Sequence, residues 1–353
     1  MKLNPQGKAT GIGSLPFKEA EPALELIFKT FPEIPHWPQL PRRSKKEHFI
    51  FQNLAALNKV GLLKITEEEA YLDHLSPDFA DQLTEFYSYY LAAMEDDVEA
   101  LNFFSFEEEA ATGFYAFLHK IKEDKGRAQF LKGQIVGPLS AGLNLVDAKS
   151  RLVYYEPQLR DVLVKTLALQ AKWQITQLKK WVAGTVIFVD DPGIYAVGVS
   201  TYISLKREEV VESLKEIADT IKLSGAIAGA HACAGVDWSI FLEAGYEVLA
   251  LDAYSYFNSL LGHVDQLHTF LKDGGILGLG VVPTSSKITD ETEESLYRLL
   301  EEEIAILAAK GIEEELLFRQ LLLVPSCGTG ILEEEEAKRV YDLTSKLSQR
   351  LKG

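Results

Sequence analysis

The sequence predicts an α/β fold: a (β/α)8 TIM barrel with a mainly helical insertion after its second strand. Three observations lead there. Short apolar runs recur along the chain, each closed by Gly, Pro, Ser or Asp. Amphipathic stretches with helical spacing lie between them. The runs are almost continuously apolar rather than alternating, which suits parallel strands covered on both faces. Eight such runs with helices between them match a closed barrel. A doubly wound open sheet is the competing topology, because periodicity alone does not close a ring.

The strand-like runs are KATGIGSLP at 8–16, EIPHWPQLP at 33–41, FLKGQIVGPLS at 130–140, TVIFVDDPG at 185–193, AIAGAHACA at 226–234, YEVLALDAY at 246–254, GILGLGVVP at 275–283 and LLLVPSCGTG at 321–330. Helices are expected over 158–182, 207–223, 257–272, 289–310 and 335–351. In 289–310, Leu296, Leu300, Ile304 and Leu307 fall on one helical face. That stretch opens at Thr289 and Thr292 with acids in its first turn and stops at Lys310-Gly311. Residues 42–128 are far more than one crossover helix needs. They read as an insertion beside the barrel mouth, within a single domain spanning 1–353. The acidic runs at 301–303 and 333–336 read as solvated helix faces. His48, His74, His119, His263 and His268 read as structural.

Composition narrows the function. The 353 residues carry 52 acids against 36 bases, a net charge of −16. Nucleic acid and anionic membrane are poor partners for such a surface, since both need a basic face. No apolar run reaches the roughly 18 residues of a membrane span, and the first residues lack the apolar core of a secretion signal. The expected location is the cytoplasm. Two cysteines without a C-x-x-C pair give no disulfide framework, so both are expected as free thiols.

Those cysteines carry the strongest chemical signal. His231 and Cys233 are two apart in one strand-like run and share a face. Asp252 ends the next run, and Cys327 follows the last. In a barrel all four lie at C-terminal strand ends, where barrel enzymes keep their chemistry. One His, two Cys and a carboxylate make a tetrahedral set suited to zinc. Each residue also has a plain alternative. His-x-Cys suits a buried strand, Asp252 suits a helix cap, and Cys327 suits a packed turn. Asp190-Asp191-Pro192 is either a carboxylate grip for a substrate amine or a turn-forming pair. Gly11-x-Gly13-Ser14 is a poor dinucleotide loop, because Pro16 stands at the third glycine. Gly13 and Ser14 instead suit a turn whose backbone N–H groups hold a carboxylate. Trp37 and Gln39, in HWPQLPRR, are candidate pocket residues, with Arg42 and Arg43 beside them.

On these residues the chain resembles the C-terminal catalytic barrel of cobalamin-independent methionine synthases. More broadly, it resembles the zinc thiol methyltransferases that share a barrel with uroporphyrinogen decarboxylase. The resemblance spans nearly the whole chain but is thin outside the motifs. The family's His-x-Cys pair matches His231 and Cys233; its later carboxylate, normally Glu, matches Asp252; its P-x-C-G turn matches Cys327. Its Ile-Gly-Ser-Phe-Pro turn matches Ile12-Gly13-Ser14-Leu15-Pro16. Its Asp-Glu-Pro turn matches Asp190-Asp191-Pro192, and its Thr-Gly-Pro turn matches Val136-Gly137-Pro138. The resemblance implies Zn2+ on His231, Cys233, Asp252 and Cys327, with Gly13, Ser14 and Asp190 binding the amino-acid part of a thiol substrate. It also implies methyl transfer to a small thiol, homocysteine first, as in methionine biosynthesis.

Two departures bear on the methyl donor. A family tryptophan that stacks on folate has no counterpart in Gly137-Pro138-Leu139-Ser140, and a family histidine is absent from GVVPTSS near Ser285. Methyl-corrinoid, free or on a corrinoid protein, is therefore expected beside methyl-folate as donor. The family's full-length synthase also has a second, N-terminal barrel, and 353 residues accommodate one. The chemistry needs zinc because a free thiol is mostly protonated at pH 7, and metal binding ionises it. No separate protein nucleophile is required. Three other readings stay open: a methylcobamide-dependent transferase using another thiol such as coenzyme M, a metal-free decarboxylase, and a non-catalytic zinc- or corrinoid-binding partner.

Overall fold

A computed structural model describes residues 2–65 and 70–352. Residues 66–69 of the expected insertion lie outside the described residues. Nine strands occur among the described residues: β1 (Leu63–Ile65), β2 (Ala70–Leu72), β3 (Phe130–Val136), β4 (Val146–Asp147), β5 (Gly184–Asp190), β6 (Ile227–Ala232), β7 (Val248–Leu251), β8 (Ile276–Val282) and β9 (Leu321–Pro325). Six form one all-parallel sheet in the order β3-β5-β6-β7-β8-β9, and the sheet is curled. Spatial order thus follows chain order, each strand returning beside its predecessor. The fold is mixed α/β, as expected.

The sheet is buried on both faces, which explains its continuous apolar runs. Because side chains alternate along a strand, each strand divides its residues between two cores. Phe130, Val186, Phe188, Val248, Ala250, Ile276, Leu322 and Val324 form an inner cluster with Ile12 and Ile34. Their sequence neighbours Leu131, Ile187, Val189, Leu249, Leu251, Leu277 and Leu323 join the larger core beneath the helices.

The two first runs behave differently from the other six. Residues 8–16 and 33–41 join the structure through single parallel bridges: Ala9 with Leu323, Ser14 with Gln39, and His36 with Lys132. These bridges meet both edges of the six-stranded sheet and each other. Along 33–41, proline explains why no ladder propagates. Pro35, Pro38 and Pro41 lack the N–H that each further rung needs.

Helices lie close to the expected spans: Pro157–Leu178, Arg207–Leu223, Glu293–Ala309 and Glu334–Lys352. Thr292 and Ser295 form a reciprocal capping box at the start of the third. The stretch 257–272 is not one α-helix: Phe257–His263 is 3-10 and only Val264–Lys272 is α. Within 42–128 the longer helices are Phe79–Met94 and Thr112–Glu123. There β1 pairs antiparallel with β2, and β2 pairs parallel with β4 from beyond β3. Trp37 contacts Phe106 and Phe114 edge-on, and both of those pack against Trp173. No described helix is long and apolar enough to cross a membrane.

Candidate metal centre

His231 and Cys233 belong to the inner face because β6 pairs in register with its neighbours. His231 lies opposite Asp190 of β5 and Ala250 of β7. The His231 side chain is buried, and its Nδ1 lies 3.1 Å from the Ala250 carbonyl oxygen. A carbonyl only accepts, so Nδ1 carries the proton and donates it there. Nε2 is then a lone-pair donor, and it is buried with no hydrogen-bond partner. An orphaned buried nitrogen fixed by a carbonyl behind it is the arrangement of a metal-ligating histidine.

Cys327 reaches the same place from the turn beyond β9. One ligand atom each from His231, Cys233 and Cys327 lies within 4.8 Å of the others. Tetrahedral zinc with bonds of about 2.0–2.3 Å needs its donors about 3.3–3.8 Å apart, a small contraction. The three residues therefore form a group able to hold a metal ion. The two thiols bear on each other's ionisation. Cys233 is drawn well below the ordinary thiol range, chiefly by hydrogen bonding from Cys327; burial opposes this and His231 assists it. Cys327 moves the other way for the same reason, with burial adding to the effect. Burial alone pushes His231 down, but Cys233 and Asp190 outweigh it and the net shift is upward.

Asp190 and Asp191 divide two roles. The fully buried Asp191 carboxylate accepts from Ser140 N–H at 2.7 Å and Leu139 N–H at 3.0 Å. It thereby caps helix Pro138–Asn144. In return Ser140 Oγ accepts from Gly193 N–H at 2.8 Å. The two motif turns are thus locked together, and a Cβ at Gly137 would sit 2.1 Å from Asp191 Cβ. Asp190 faces the inner side with Oδ1 buried and unpartnered. Burial lifts its carboxyl to about 6, against the opposing pull of His231 and Lys132.

Lys132 is the residue that sequence reasoning passed over. It is wholly buried; its ammonium lies 4.5 Å from the Phe188 ring centre and donates to the Ile12 carbonyl and to Gln134 Oε1. Burial lowers it to about 8, with Asp190 pulling it back up. The available signal was a lysine inside the apolar run FLKGQIV. Glu303 is the second such residue, and it corrects the reading of 301–303 as a solvated face. Glu301 and Glu302 are exposed, but Glu303 is 3% exposed and its Oε2 has no partner. It stands three residues after Leu300, on the apolar face of its helix.

The structure does not bring Asp252 into the group of three. Asp252 is the N-cap of the helical turn Ala253–Tyr256, with Oδ1 accepting from Ser255 N–H at 2.9 Å. That bond fixes the short side chain, which lacks the extra methylene a glutamate would extend. Trp37, expected at a pocket, is fully buried, and its indole N–H donates to Gln174 Oε1 at 3.0 Å. Gln39 is buried and gives its backbone to the Gly13–Leu15 bridge. Gly13 lies against Gln134, whose side chain a Cβ there would approach to 2.9 Å. Ser14 contacts the turn that follows Cys327. Arg42 is bound to the Ile331 carbonyl, and Arg43 to Glu47. Neither family models nor characterised proteins give a match to this chain.

Proposed function

We propose that this chain is a zinc-dependent methyltransferase acting on a small thiol, with homocysteine as acceptor and methionine as product. One observation carries the reading: three soft donors converge at strand ends, His231 Nε2 among them, buried and unpartnered. A nitrogen and two thiolates suit zinc. Three protein donors leave a coordination position for substrate, as catalytic zinc sites do and closed structural ones do not. Zinc held there supplies the Lewis acidity that keeps a thiol ionised at neutral pH.

The chain's own residues supply the rest. His231 is oriented by Ala250, and Cys233 and Cys327 bring the negative charge. The unpartnered Asp190 Oδ1 suits a cationic substrate group such as an amine. In the reaction the substrate sulfur gains the methyl group, its proton passes to solvent, and the donor leaves without the methyl. The donor is methyl-corrinoid or methyl-folate. The bridges that join residues 8–16 and 33–41 to both sheet edges support a closed (β/α)8 barrel of the methionine synthase kind. A decarboxylase reading finds no support in Arg42 and Arg43, since both are already paired.

The test is methyl transfer from methylcobalamin, or from methyl-folate, to homocysteine. Methionine formation that stops on zinc chelation and returns with zinc is expected. Zinc-loaded protein that methylates no thiol from either donor would overturn the proposal.

A further inference from the structure

Cys327 stands two residues beyond the end of β9, outside any ladder, and its turn is held from both sides. On one side Ser326 N–H donates to the Val282 carbonyl at 2.9 Å, and Ser326 Oγ accepts from Thr284 N–H at 3.0 Å. On the other side stands Ser14, at the end of the first bridged segment. Thr329 donates twice to the Ser14 carbonyl, from N–H at 2.8 Å and from Oγ1 at 3.0 Å. Gly330 N–H donates to Ser14 Oγ at 3.3 Å. Contact is close enough that a Cβ at Gly328 would sit 2.1 Å from Ser14 Oγ. Thr329 is fully buried. Ser14 is itself anchored, by its bridge to Gln39 and by the buried Lys132 ammonium on the Ile12 carbonyl.

We infer that Ser14 and Thr329 are positioning residues for Cys327: docking of the N-terminal segment against the last turn sets the second thiol opposite Cys233 and His231. This rests on the reading of those three residues as metal ligands. His231 needs no such help, because β6 is paired on both edges. Cys327 has only its turn. Ser14 thus acts through the ligand turn, a role different from gripping substrate. Linkage makes the coupling reciprocal: contacts that favour the metal-binding arrangement must in turn be tightened by the metal.

The experiment measures Zn2+ affinity by competition with a chromophoric chelator, for the full chain and for Ser14→Ala, Thr329→Val, Gly328→Ala and the double variant Ser14→Ala/Gly328→Ala. Hydrogen exchange is followed with and without Zn2+. Ser14→Ala and Thr329→Val each remove one side-chain hydrogen bond from the ligand turn and are expected to weaken zinc by about 2- to 10-fold. Gly328→Ala should lose at least as much. Adding Ser14→Ala should then restore part of it, since the new Cβ next meets Ser14 Cβ at 3.3 Å. A general loss of folding gives no such recovery. In wild type, Zn2+ should slow exchange at the amides of Thr329 and Gly330. If wild type binds zinc but the single variants bind it equally well, or those amides ignore the metal, the positioning role is wrong and the metal centre stands. Should Thr329→Val fail to fold, the Ser14–Gly328 pair decides alone. A wild type that binds no zinc overturns both readings.

Discussion

At the scale of single residues, a histidine becomes a ligand when one nitrogen is occupied and the other is left over. His231 meets that condition through Ala250. Asp252 spends its Oδ1 on a helix cap and stands outside the group of three. Asp252→Ala should therefore leave zinc stoichiometry unchanged and cost about 1 kcal/mol of stability, whereas Asp252→Asn should keep the cap. Elemental analysis and urea midpoints measure the two effects, and loss of zinc in Asp252→Asn would make Asp252 a ligand after all. Glu303 gives a prediction in pH. Burial, with Asp252 and Glu302 adding to it, lifts its carboxyl from 4.5 to about 8. The folded chain then holds a proton that the unfolded chain releases between those values. Its contribution to stability is full below about 4.5 and is lost as pH rises toward 8. Glu303→Gln should match wild type near pH 4 and exceed it above pH 8, by on the order of a few kcal/mol. Equal urea midpoints at high pH would contradict this.

At the scale of elements, the turns are interlocked by side chain to backbone bonds that cross between strands. Asp191 caps a helix that begins 53 residues earlier in the numbering at Pro138, and Ser140 returns a bond to Gly193. Asp191→Ala would leave two buried N–H groups unpaired and should cost about 2–4 kcal/mol. Asp191→Asn retains one acceptor and should cost less, a ranking that chemical denaturation can check. Such cross-links explain what the sequence could and could not disclose. Helix Glu293–Ala309 was legible from its leucine stripe and its threonine cap. The same stripe, widened to the i+3 position after Leu300, would have exposed Glu303. The pairing of β2 with β4 was not legible, because strands of two or three residues carry no period.

At the scale of the molecule, six of the apolar runs were readable as parallel strands because each is buried on two sides. The two first runs were readable as strand-like, but not as single bridges; in 33–41 a missing N–H stops the ladder without altering the apolar pattern. His231, Cys233 and Cys327 were legible as a set by their positions at strand ends, and Asp252 was drawn in by the same logic although its side chain turns to a local cap. Lys132 lay hidden in plain view, one charge within an apolar strand, and its place under the Ile12 carbonyl needed the fold to show it.

The central claim is that three residues, two of them far apart in sequence, share one metal. Zinc content per chain, measured by elemental analysis on wild type, Cys233→Ala and Cys327→Ala, tests it most directly. The account predicts one zinc per wild-type chain and loss of the metal in both variants, although Cys327 lies on a different strand end from Cys233. Wild-type protein that carries no zinc and takes none up, or a Cys327→Ala variant that retains its zinc as firmly as wild type, would contradict it.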